Sequence, residues 1–180
     1  LDDCPPDIGD CPIGTIPMDN FLGYDYDICV PGNFSTVQQS TLQAFYYFYS
    51  VTINGEIVDS TDWVGVFNGD ICVGARQWDT SLCGSGICEV TAMGYEGTEW
   101  TAGYMLPGDI PSFKIFDTSE NEYFDAIASE DIPWGNFGSS LLDNLEGGSI
   151  PGCTDSDACN FDSNATNDDG SCFYAEENFN

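Results

Sequence analysis

The chain has no histidine and only two basic residues, Arg76 and Lys114, in 180 positions. Without an imidazole, the Ser-His and Cys-His dyads that activate a nucleophile are excluded. The one lysine lies in "FKIF" with no Ser-x-x-Lys pattern around it. Glycoside hydrolysis needs only two carboxylates at a set separation, and 31 acids meet that spacing by accident, so no acid pair is assigned to catalysis. A non-enzymatic protein is expected. No run of 18 apolar residues occurs, the densest stretch being "AFYYFY" at Ala44 to Tyr49, so no membrane-inserted helix is expected. The absence of any CxxC pair, together with the missing histidine, argues against zinc as the purpose of the cysteines.

What the chain has instead is acid and sulfur. Its 31 Asp and Glu give a formal charge of −29, and self-repulsion on that scale opposes a compact state unless salt or divalent cations screen it. Nucleic acid and anionic membranes are poor partners for such a surface. A hydrophobic share of 42% is nevertheless enough for a core. Nine cysteines fall in three clusters (Cys4, Cys11, Cys29; Cys72, Cys83, Cys88; Cys153, Cys159, Cys172) and read as the disulfide framework of an oxidising compartment. The odd number leaves at least one thiol without a partner in the chain, which fits a bond to another molecule or a partner beyond Asn180. The opening "LDDCPPD" shows no initiator Met and no leader, as expected of a processed secreted chain or an excerpt of a longer one. Two sequons, at Asn33 and Asn164, permit glycosylation.

Along the chain, residues 1–33 read as a Pro- and Cys-rich arm, because "CPPD", "CPIG", "TIPMD" and "VPGN" place prolines where neither a helix nor a central strand runs. Residues 34–132 read as the main domain. "QAFYYFYSVTI" (Gln43 to Ile53) is aromatic and β-branched on both faces, as in a strand at the centre of a sandwich, and ends at the hairpin signal Asn54-Gly55. "DWVGVF" and "ICVGAR" flank the turn Asn68-Gly69-Asp70 as a second hairpin, and "EVTAM", "SFKIFD" and "EYFDAIA" supply further strands. Repeated short strands without a helical stripe predict an all-β fold, an antiparallel β-sandwich of jelly-roll or Ig-like type. Residues 133–151 read as a Gly-rich connector with one helical turn at "SLLDNL", and residues 152–180 as a small Cys- and Asp-rich module.

Two stretches carry a resemblance. "DWVGVFNGDICVGA" followed by "TAGYMLPGDIPSFKIFD" resembles a β-sandwich repeat of large secreted and surface proteins of marine and Bacteroidetes-type bacteria and some algae. "GCTDSDACNFDSNATNDDGSC" is similar to a short cysteine- and aspartate-rich repeat, roughly GCTDxxACNYxxxATxDDGSC, of the same kind of multi-domain protein. The resemblance implies an extracellular or cell-surface location and a modular architecture.

The C-terminal repeat offers hard oxygen donors from Asp155, Asp157, Asp162, Asn164, Asp168 and Asp169, with Gly170 to turn the loop, and calcium is the expected cofactor. A disulfide such as Cys159 to Cys172 contributes about 3 kcal/mol to so small a module in the chain-entropy account. Asp62, Asn68 and Asp70 are candidates for a second ion, although Asn-Gly-Asp is also what a tight hairpin requires. The expected function is a structural or adhesive unit of a cell-surface appendage or filament, stabilised by disulfides and calcium and self-associating or joined to other surface proteins. The alternative is a carbohydrate-binding module that presents Trp78 and Trp100 to polysaccharide, with Trp63 in the core.

Overall fold

The computed structural model describes residues 11–23, 28–148, 151–163, 165 and 167–174. Twelve strands follow in chain order: β1 (Thr15–Met18), β2 (Ile28–Pro31), β3 (Gln43–Ile53), β4 (Glu56–Ile57), β5 (Trp63–Asn68), β6 (Ile71–Gln77), β7 (Cys88–Met93), β8 (Ser112–Asp117), β9 (Glu122–Ala128), β10 (Ser139–Gly147), β11 (Pro151–Gly152) and β12 (Asn167–Asp168). Among the described residues the helical pieces are short 3-10 turns, and no helix is long and apolar enough to cross a membrane.

The main sheet runs β4-β3-β10-β9-β8-β5-β6, with β7 on the free flank of β3. The two expected hairpins form where the turn residues place them. Asn54 and Gly55 both take positive φ (52° and 83°), the twist a two-residue turn between right-twisted strands needs. Gly69 does so (φ 59°) between β5 and β6.

One sheet becomes two layers because it curls. Strands β3 and β8 stand three places apart in the sheet, yet the Phe113 ring lies 5.7 Å from Tyr46 and 5.4 Å from Phe48, each edge to face. Those contacts close the inner core, with Val64, Val66, Ile115, Leu142 and Leu145 all buried. The all-β sandwich expected from sequence is thus one mixed sheet folded on itself.

The opposite face of β5 and β8 is covered by the N-terminal segment. Phe21 meets Trp63 edge to face at 6.0 Å, and Phe34 meets Phe67 at 5.9 Å and Tyr123 at 5.4 Å. A Cβ on Gly65 would lie 2.5 Å from the Phe34 ring, so glycine is what lets that ring reach the strand. The segment expected as a Pro- and Cys-rich arm is, over its described residues, a β1–β2 hairpin closed by Cys11–Cys29 and packed on its own sheet. Alternating prolines signalled irregularity; the buried Ile28, Val30 and Phe34 decide the packing.

The expected connector is also corrected. Ser139–Gly147 is strand β10, inserted between β3 and β9 and parallel to β3. Leu142 and Leu145, three residues apart, gave the look of a helical turn. Both point inward because the pairing skips from Leu142↔Phe48 to Asn144↔Ser50, and β3 buries Phe48 and Val51 across the same irregularity. The sheet is therefore not purely antiparallel, and the sandwich extends to residue 147.

Candidate binding surface

The sheet has two outermost strands, β6 and β7, and the curl brings them together. A Cβ on Gly74 would sit 1.7 Å from the carbonyl oxygen of Thr91. Beyond that crossing, the Arg76 guanidinium donates to the Glu89 carboxylate and, at 3.4 Å, to the Glu89 carbonyl oxygen. Cys83–Cys88 closes the loop joining the two strands. Where the strands separate lies a cleft of about 300 Å³, lined chiefly by Leu22, Gln39, Gln43, Arg76, Glu89 and Thr91. It carries amide, hydroxyl, guanidinium and carboxylate groups over an apolar floor.

The cleft opens onto an aromatic row. Along β3 the side chains of Ala44, Tyr46 and Phe48 are buried, so Gln43, Phe45, Tyr47 and Tyr49 take the other face. In register, Phe45 lies between Thr91 of β7 and Ser139 of β10, and Tyr47 between Glu89 and Leu141. Tyr49 and Leu141 are 57% and 56% exposed, and Phe137, at the entry to β10, is 75% exposed. The doubly apolar strand was expected to be covered on both sides. Instead one face of its N-terminal half builds the core and the other half-exposes a run of rings. The signal was in the sequence, in three aromatics at alternate positions, but central burial explains the same pattern.

The candidate tryptophans divide. Trp100 is 78% exposed on the turn Glu99–Thr101, whereas Trp78 is 3% exposed and its ring lies 6.2 Å from Phe48, so Trp78 is core and not a ligand platform. Trp63 is core as expected, and Trp134 is buried with its indole N–H donating to the Ala92 carbonyl at 3.0 Å.

The second candidate ion site does not assemble. Asp62 precedes β5 and Asn68 ends it, about 20 Å away along an extended chain. Asp62 is buried and accepts from the backbone N–H groups of Asp59 (2.8 Å) and Thr118 (2.9 Å), and burial pushes its carboxyl pKa up. Asn68 donates to the Gly103 carbonyl (3.0 Å), tying the β5–β6 turn to the loop after β7, while Asp70 stands exposed. A neighbouring loop is held by Glu96, which accepts from Thr41 N–H and Oγ1 and from Ser40 Oγ; those bonds hold its carboxyl below the usual range.

In the C-terminal module, β11 pairs with β12 and the disulfide joins Cys153 to Cys172, not Cys159 to Cys172. Cys159 is an exposed thiol and Cys72 a buried one whose pKa is pushed up to about 12 by burial, so neither belongs to the disulfide framework expected; Cys4 and Asn164 lie outside the described residues. Cys72 is buried with its strand, and among the described residues no second cysteine is bonded to it. Three aspartates act locally: Asp155 accepts from the Asp157 N–H and the Tyr174 hydroxyl, Asp168 from the Gly170 N–H, and Asp169 from the Ser171 N–H. Asn160 bridges Ser171 and Phe173 with both ends of its amide. Asp157, Asp162, Asp168 and Asp169 are exposed, and among the described residues no three acidic or cysteine side chains converge as an ion cage would require. Asn33 is exposed, with its backbone N–H bonded to the Tyr123 hydroxyl at 3.1 Å.

Comparison with family models, with curated proteins and with solved structures finds no match to this chain.

Proposed function

We propose that the chain is a non-enzymatic extracellular module of a structural or adhesive surface protein, a building unit of an appendage, filament or cell-surface array. The observation that carries this reading is the placement of the disulfides: one each closes the β1–β2 hairpin, the β6–β7 loop and the C-terminal module. Such bonds persist where thiols are oxidised and are rare where they are kept reduced. The likeness of "DWVGVFNGDICVGA" and "GCTDSDACNFDSNATNDDGSC" to repeats of large secreted proteins supports the same location. Both cations of the chain are engaged by acids, Arg76 with Glu89 and Lys114 with Asp125, which favours binding and scaffolding over chemistry on an anionic substrate. Calcium enters as a counter-ion for the acidic loops of the C-terminal module, and the exposed Cys159 as a point of covalent linkage to a neighbour.

Electron microscopy and non-reducing gels of native material test the reading. Filaments or covalent multimers that chelator plus reductant disperse are expected. A monomeric protein inside the cell with every cysteine reduced overturns it.

A further inference from the structure

We infer that the outer face of β7, β3 and β10, together with the cleft at the β6–β7 seam, is a binding site for a neutral, hydroxyl-rich polysaccharide chain. Phe45, Tyr47 and Tyr49 occupy alternate positions of one strand, so their rings form a row about 13 Å long on one face of it. Aromatic rings offer apolar faces to the C–H faces of pyranose rings, and Leu141 and Phe137 widen the strip. The hydroxyls of Tyr47 and Tyr49 make no hydrogen bond with the described residues and remain open to a ligand.

The polar groups beside the row identify the ligand class. Gln39, Gln43 and Thr91 supply both donors and acceptors at the cleft end, which suits hydroxyl groups that act as both. The cleft's one cation, Arg76, is already paired with Glu89, so no group is held in reserve for a carboxylate or sulfate on the ligand. The formal charge of −29 repels uronic and sulfated chains and nucleic acid alike. A neutral chain meets none of that cost. The outer face over β5 and β8 is occupied by Phe21 and Phe34, whereas on the β3 face Tyr49 and Leu141 stand exposed.

The inference rests on the extracellular reading only in that free polysaccharide is met there; the test is made on the purified, oxidised chain, so its failure leaves that location untouched. Isothermal calorimetry with cellohexaose and chitohexaose, and with polygalacturonate as the anionic control, measures the affinity. Binding of at least one neutral oligosaccharide is expected, weakened about tenfold by Tyr49→Ala and comparably by Leu141→Asp, and unaffected by Trp100→Ala. Both altered side chains are more than half exposed, and thermal denaturation checks that each variant is folded. No binding of either neutral probe, equal or stronger binding of polygalacturonate, or loss through Trp100→Ala with Tyr49→Ala inert overturns the inference. So does self-association through this face that Leu141→Asp abolishes in the absence of saccharide binding.

Discussion

Gly74 and Thr91 touch where the two ends of one sheet meet: the space a Cβ would fill on Gly74 is held by the carbonyl oxygen of Thr91. No ladder joins β6 to β7, so the seam depends on this approach, the Arg76–Glu89 pair and the Cys83–Cys88 loop.

Gly74→Ala pushes backbone against backbone, where no side chain can swing away. A loss of about 1–3 kcal/mol in urea unfolding is expected, as for other overpacked sites. Gly69→Ala makes a useful contrast, because nothing lies within reach of its Cβ and only the cost of positive φ remains.

Asp62 and Glu96 give opposite pH signatures. Burial raises the Asp62 pKa, so its contribution favours the native state fully below its ordinary value of 3.8 and is lost as pH rises through the elevated folded value. Glu96 is lowered by its bonds to Thr41, so its contribution is present above its ordinary 4.5 and lost as pH falls through the depressed folded value. Stability profiles of Asp62→Asn and Glu96→Gln against the parent, taken by denaturant titration from pH 3 to 7 at roughly unit steps, are expected to diverge from it in these opposite directions. Asp62→Ala strands two backbone N–H groups and is expected to cost about 2 kcal/mol.

The cysteines differ in reactivity. Iodoacetamide labelling read by mass spectrometry is expected to modify Cys159 in the native state and Cys72 only on unfolding, since burial removes both access and thiolate from Cys72. Reducing the disulfides should loosen the C-terminal module first: Cys153–Cys172 spans 19 residues and contributes about 3 kcal/mol in the chain-entropy account, a large share for a unit with two short strands. Limited proteolysis after mild reduction is expected to cut beyond residue 150 while residues 28–147 persist.

Calcium is expected to raise the melting temperature more than sodium chloride at matched ionic strength, with EGTA reversing the excess. Equal effects of the two salts would reduce the role of calcium to screening of the acidic surface.

Most strands were legible where local chemistry and tertiary context agree. "SFKIFD" and "EYFDAIA" coincide with β8 and β9, and Asn54-Gly55 turns as its φ preferences require. Strand β10 was hidden because its two buried leucines are spaced by three, a spacing produced by an irregularity shared with β3 and invisible in either stretch alone. Where the arm packs was not legible because prolines report local backbone freedom, while the partners of Phe21 and Phe34 lie more than thirty residues away in sequence. At the candidate surface, Trp100 was found as exposed, but Trp78 was not recognisable as core, and the role of Tyr47 and Tyr49 depended on which face of β3 the curl leaves open.

The position of β10 sets the order in which the protein can be made. Residues 139–147, synthesised after every other strand of the main sheet, must enter between β3 and β9. Until they do, a nascent chain carries two unpaired flanks, open to joining strands of other chains. Truncation before residue 139 therefore removes the middle of the sheet and not its rim, and a chaperone that holds β3 and β9 apart until β10 arrives would serve this topology well.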